Sequence, residues 1–586
     1  MRPGKKRSSA FLTALLCAVA LMMVACSGGG TTSTPAAVHT KAAQSQQILI
    51  SGAEVGTTDI LSFDPALAPD FFSASAIENV FTGLVQLGDD LQVHPQLASS
   101  YQVSPDNLTY TFTLRPNLMF SDGTPLTSAD VVYSMDRALQ PATQSSTGPY
   151  DLRYIKDASK LAAGSIKTII GDSLLAPDPN TVVVKAASPV AFFIQSLTYP
   201  ASFVVEKSVV TKYGKNWTDH LADNGGQGGD GPFKVEEYAH NKQIVFVPNP
   251  TYYGPKPQLQ KVIFPFYKVA DTGYSAYQVD QLDDTPIPTI VFQQVRGHSD
   301  YRNTPFLAID YYTMNYLQKP FDVTACRQAF ALAINKDLIV KTVWKNSIIA
   351  TNHIVPQGQY GYDPGLKGPD GTTSTAGNPT MAQQLEKQCM TAQGYASAAN
   401  FPPITLTYSS AGSQAARNEV AMMQQMWQMT LGISVKTDDI DLYKLFADEA
   451  LGSNNPLQFY TGPAWIADYP DPEDWTTLQF DKGASQNGMN FGQNHSPDAA
   501  AQQAVQAEME AADLITGNPA AREQAYWKIE QELVNYVAWF PMEQEEQNFL
   551  IKPCVQGLVL NAFGLTPPDD WHKIYISTDT PCAKTS

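Results

Sequence analysis

From Thr109 to Leu114 (TYTFTL) the chain alternates, with Tyr110, Phe112 and Leu114 on one side, which predicts a half-buried strand. Thr127, with Asp130 three residues on, makes a capping-box-like helix opening. Behind it Val131, Met135, Ala138 and Leu139 recur at helical spacing. Residues 182–185 (VVVK) and 244–247 (IVFV) read as further strands. Between 413 and 431, Val420, Met423, Trp427 and Leu431 repeat as one helical stripe, and Gly432 stands where a helix should stop. Met422, Met423, Met426 and Met429 share that segment; core packing is favoured over an adaptable binding face. Ser496-Pro497 opens one late helix. Gly517-Asn518-Pro519 separates it from another carrying Tyr526, Ile529, Leu533, Tyr536 and Val537. The Pro- and Gly-rich stretch 361–379 predicts loops. Strands and helices mix without an internal repeat, so the fold class is α/β or α+β.

The N-terminus follows none of these patterns. Arg2, Lys5, Lys6 and Arg7 precede an uncharged apolar run over 11–25 (FLTALLCAVALMMVA), shorter than the about 20 residues a spanning helix needs. Such a segment is an export signal. It ends in Val24-Ala25-Cys26-Ser27, which resembles a lipobox and makes Cys26 the expected site of lipid attachment. Residues 26–47, rich in Gly, Ser, Thr and Ala, predict a flexible tether. Loss of the leader's four basic residues would take the net charge from −18 to about −22.

Composition adds limits. With 586 residues, 43% hydrophobic and 16% charged, the chain can bury large cores, at first count in roughly three to five domains or lobes. An excess of 56 acidic over 38 basic residues excludes nucleic acid as a partner, because phosphates need clustered Lys and Arg. Beyond Cys17 and Cys26, four cysteines remain, with three possible pairings. In an oxidising compartment Cys326–Cys389 and Cys554–Cys582 are candidate bridges, and the absence of CxxC spacing argues against zinc.

Catalytic signatures are missing: the sequence has no GxSxG, HExxH or P-loop, and its eight histidines show no metal-binding spacing. Gly226-Gln227-Gly228-Gly229-Asp230-Gly231 satisfies GxGxxG but follows a polar run and precedes a strand pattern, so it predicts a turn. No metal or cofactor is expected. The densest polar-aromatic feature is Trp465-Ile466-Ala467-Asp468-Tyr469-Pro470-Asp471-Pro472-Glu473-Asp474-Trp475. It lacks the glycine of a calcium loop. It could supply a glycosidase carboxylate, an anionic anchor between aromatic walls, or only a solvated acidic loop.

Residues 106–139 (DNLTYTFTLRPNLMFSDGTPLTSADVVYSMDRAL) closely resemble the signature of the family 5 solute-binding proteins of ABC importers, the oligopeptide-, dipeptide- and nickel-binding lipoproteins. Asn79–Leu84, Pro95–Ala98, Gly231–Phe233, Asn249–Gly254, Met314-Asn315, Pro320-Phe321 and Arg327–Ile334 extend the likeness over about 48–575. The resemblance implies an α/β, two-lobed periplasmic-binding-protein-like fold of type II, from the large cluster with an extra subdomain in lobe 1. Lobe 1 is expected over 48–305, with the inserted subdomain at about 84–180. Lobe 2 is expected over 306–542, with a return to lobe 1 over 543–586 and crossings near 300–314 and 540–550.

It also implies a function. The protein would be a monomeric, lipid-anchored receptor outside the cytoplasm, capturing oligopeptides and delivering them to a membrane permease, with no catalysis. In peptide-binding relatives the aspartate of a Trp-x-x-Asp motif pairs with the ligand's α-ammonium. That role falls here on Asp468, with Trp465 and Tyr469 as candidate walls. Dipeptide binders also place an arginine just before the helix of Trp427, where this chain has Tyr408-Ser409-Ser410-Ala411-Gly412. A longer peptide held through its backbone fits better than a dipeptide. The rival expectations are the same receptor tuned to an oligosaccharide, metal chelate or other solute, and a secreted hydrolase using Asp468.

Overall fold

A computed structural model describes residues 39–583; the export signal and Cys26 lie outside the described residues. The mixed pattern folds into three main sheets. In the first, strand Ile48–Ile50 pairs in parallel with Lys261–Pro265, which continues antiparallel through Gln243–Pro248 to Phe233–Ala239. The second is antiparallel, ordered Ala98–Val103, Thr109–Leu114, Thr181–Lys185, Leu174–Asp178. Its alternation is as read: Tyr110, Phe112 and Leu114 are buried against Val182, Val184, Val131 and Met135 in one core. The helix Ser128–Leu139 closes that core. Thr127 and Asp130 form its capping box, in which the Asp130 carboxylate accepts from the Thr127 N–H at 2.9 Å.

The third and largest sheet belongs to the second lobe and is organised by two long antiparallel strands, Tyr301–Met314 and Phe540–Ile551. At one end Leu550 and Ile551 join first-lobe cores; at the other Phe540, Met542 and Met314 enter the second-lobe core. This ribbon physically links the lobes. The helix Gln414–Leu431 packs on the second-lobe sheet through Val420, Met423, Met426 and Trp427, and Gly432 ends it in the left-handed region (φ 67°). Met422 sits at the edge of that core. Met429 lies on the opposite helical face and is 77% exposed, so the methionines do not act as one group.

Among the three possible cysteine pairings, the structure has Cys326–Cys389 and Cys554–Cys582. The first bridge ties helix Thr324–Leu332 to helix Pro379–Gln393. Asp283 lies beside the second, but sulfurs bonded to each other supply no thiolate, so this trio is not a metal centre. Two sequence expectations need adjustment. The GxGxxG segment is a turn, as read, but its glycines do more than turn the chain: Gly226 and Gly228 take positive φ (100° and 86°), and Gly229 allows close packing, since a Cβ there would lie 2.3 Å from the Val80 carbonyl oxygen. The tether also ends before residue 47. The Gln47 side chain is fully buried, donates to the Ile576 carbonyl at 2.8 Å and accepts from the Ile576 N–H at 2.9 Å, so Lys41–Gln47 already belong to the folded body.

Candidate ligand-binding site

The acidic aromatic loop leaves the second-lobe sheet from the short strand Trp465–Ile466. That strand pairs with Ala308 and Ile309 of the linking ribbon, and the Ala467 N–H donates to the Leu307 carbonyl at 2.9 Å. Two prolines prevent a regular helix, and the loop is held by its own carboxylates instead. Asp474 accepts from the Trp465 indole N–H at 3.2 Å and the Asp468 backbone N–H at 3.3 Å. Asp471 caps the turn Pro472–Trp475 by accepting from the Glu473 N–H at 3.0 Å. It also receives both arms of the Arg522 guanidinium at 2.7 Å. Gly361, with φ 89°, lets a neighbouring loop close over Pro472, where a Cβ would approach the ring within 2.2 Å.

Four carboxylates in one short run are thereby sorted into different jobs. Glu473 crosses to the first lobe, where it pairs with Arg153 and accepts from the Tyr154 hydroxyl at 3.2 Å. It also takes a hydrogen bond from Tyr469. Tyr469 is 2% exposed and stacks on Phe192 of the first lobe, with ring centroids 5.9 Å apart and planes 7° off parallel. Its ring is therefore lodged between the lobes. Trp465 stays half-buried at the edge of a second-lobe core.

Asp468 and Asp474 are the two members without a cation, and they differ in that Asp474 is spent on two N–H groups of the loop itself while Asp468 accepts from none of them. Asp468 is 5% exposed, and its Oδ2 has no hydrogen-bond partner. Burial pushes its pKa up to about 7, against the help of the Tyr199 hydroxyl and with a smaller upward push from Glu473. A carboxylate kept dry in this way is costly unless a positive group arrives to pair with it. Beside the cluster a cleft of about 690 Å³ separates the lobes, lined by Tyr150, Arg153, Tyr154, Thr477, Asp481 and Asp513 among others, a size that suits a small organic ligand.

The structure thus brings Asp468 and Trp465 to one loop beside the lobe contact. It adds partners that sequence reasoning missed: Asp151, Arg153, Phe192 and Tyr199 from the first lobe. No local motif marks these four. They are recognisable only by facing a loop some 270–320 residues away in the chain.

The Bacillus subtilis dipeptide-binding protein DppE is 29% identical over 421 residues, covering 70% of this chain and 73% of that protein. The Escherichia coli periplasmic oligopeptide-binding protein OppA is 26% identical over 520 residues, covering 85% and 88%. Among solved structures, the Escherichia coli murein tripeptide binding protein MppA superposes with a TM-score of 0.76 at 24% identity, covering 92% of this chain and all of that one, which shows the two-lobed fold. The family model for bacterial extracellular solute-binding proteins, family 5, matches residues 92–487, which contain most of both lobes and the whole acidic loop, and the chain belongs to that family.

Proposed function

We propose that this protein captures oligopeptides between its two lobes and hands them to the permease of an ABC importer. The observation that carries this reading is Asp468: a buried carboxylate with an unpartnered oxygen, at the contact between lobes, in a family whose relatives bind peptides. A peptide's α-ammonium supplies the missing charge. Contacts with both lobes at once favour the state in which the lobes meet, and the ribbon Tyr301–Met314/Phe540–Ile551 is where a hinge would flex. Trp465 offers an aromatic flank for the bound peptide. The chain carries its cargo without covalent chemistry. The reading includes export and a lipid anchor on Cys26, which would hold the receptor at the outer face of the membrane.

Two experiments test this. Calorimetry and mass spectrometry with a set of tri- to pentapeptides should show binding of one peptide per protein and recovery of the peptide intact. Cleavage of peptides or glycans would support the hydrolase instead, and binding confined to sugars or metal chelates would reassign the ligand. Separately, Cys26→Ala should abolish acyl labelling in the native host and move the protein into the soluble fraction; continued labelling would remove the anchor.

A further inference from the structure

Asp151 ends the short helical turn Gly148–Asp151 of the first lobe. It is 2% exposed, yet neither carboxylate oxygen has a hydrogen-bond partner. A buried, wholly unpartnered carboxylate is rare, because nothing replaces the water it has lost. Among the described residues no cation pairs with it. Arg153 is the cation nearest in sequence, and it is committed to Glu473 and lies over the Tyr154 ring, 4.7 Å from the centroid. Arg522 is committed to Asp471. Asp474 has no cation either but keeps two N–H donors of its own loop, which leaves Asp151 of the first lobe and Asp468 of the second as the carboxyls whose charge is least answered. The two share a neighbourhood: the turn Gly148–Asp151 packs on Pro200–Ser202, next to Tyr199, which lies in one core with Ala467 and whose hydroxyl donates to Asp468.

We propose that Asp151 is a second cation subsite, and that the preferred ligand is a peptide whose first residue is basic, with its α-ammonium on Asp468 and its side-chain cation on Asp151. This deepens, and rests on, the peptide reading above. Two carboxylates on opposing lobes repel when the lobes meet. A single ammonium balances one of them; a doubly charged N-terminal residue balances both. The neighbouring rings of Tyr150 and Tyr199 suit the same ligand, since aromatic walls favour a desolvated cation. Burial, followed by repulsion from Asp468, pushes the Asp151 pKa well up against a smaller opposing pull from Arg153, and a bound cation reverses that effect.

The test uses the mature protein and two tripeptides of near-equal shape, Lys-Ala-Ala and norleucine-Ala-Ala, with affinities measured by calorimetry at neutral pH. The wild-type protein should bind the lysine peptide at least about tenfold tighter, as expected when a buried charge finds its partner. Asp151→Asn should erase the difference chiefly by weakening the lysine peptide, while its binding of the norleucine peptide reports that the variant is folded. Equal wild-type affinities would overturn the second subsite and leave the peptide reading standing; that result needs no variant. A preference retained in Asp151→Asn, or equal losses for both peptides, would also overturn it, the latter by giving Asp151 a share of the α-ammonium. Failure of the wild-type protein to bind any peptide would remove the peptide reading together with this proposal.

Discussion

Replacing Asp468 by alanine is expected to weaken peptide binding by about 2–5 kcal/mol, the usual cost of removing one partner from a buried charge pair. The fold should not suffer. Asp468 holds no protein cation, its Oδ2 has no partner to lose, and the one side-chain hydrogen bond given up, from the Tyr199 hydroxyl, is offset by removing a buried carboxyl. Thermal unfolding separates the two effects: the ligand-free variant should melt at or above the wild-type temperature, while the rise produced by peptide should largely disappear. A variant that melts lower but binds normally would make Asp468 structural and remove it from the site.

The same carboxyl gives a pH signature with a definite sign. With the lobes in contact it protonates at about 7, against about 4 in an unfolded chain. Between those values the native state holds the extra proton, so its contribution to ligand-free stability is full below pH about 4 and is lost as the pH rises to about 7. Asp151, Glu473 and Asp474, which face it, are shifted upward as well, burial being the main cause in each. A bound ammonium works in the opposite sense by favouring the ionised form. The peptide-induced rise in melting temperature should therefore grow from pH 5 to 7, and fade above about 8 as the ligand's amino group loses its proton. Asp468→Asn should flatten the rising part of that curve.

What could be read from the sequence, and what could not, divides along the range of the interactions involved. The strand Thr109–Leu114, the capping box of Thr127 and Asp130, and the stop at Gly432 are each set by residues within a few positions of one another. A linear pattern carries them. The Met422–Met429 set shows the limit of that approach, since composition groups residues that helical geometry then separates. The site follows the same rule. Asp468 was identifiable because Trp465 and Asp468 stand in one motif, and the rigid loop around them is local. That Asp471 serves Arg522, Asp474 the loop backbone and Glu473 the other lobe could not be seen, because identical carboxyl groups acquire different roles only from tertiary partners. Asp151 is the strongest case. In the sequence it is one acid among 56, and its meaning comes from what surrounds it and does not pair with it.

The second large effect is expected at Arg522, on helix Pro519–Tyr536. Arg522 is 4% exposed, and its guanidinium grips both oxygens of Asp471, donates to the Tyr526 hydroxyl oxygen at 3.2 Å as a third partner, and lies over the Phe192 ring of the other lobe. Burial opposes its charge, but Asp471 more than offsets this and its pKa is raised. Arg522→Met should destabilise the protein by about 3–5 kcal/mol, because it strands the Asp471 carboxylate in a dry site. Since Asp471 also caps the turn that follows Asp468, the variant should bind peptide more weakly even at temperatures where it is fully folded. The double variant Asp471→Asn/Arg522→Met distinguishes a stranded charge from lost packing. Asparagine retains an oxygen to accept from the Glu473 N–H but carries no charge, so most of the stability should return. If the double variant is as unstable as Arg522→Met alone, Arg522 stabilises the loop by its contacts with Phe192 and Tyr526 and not by neutralising Asp471.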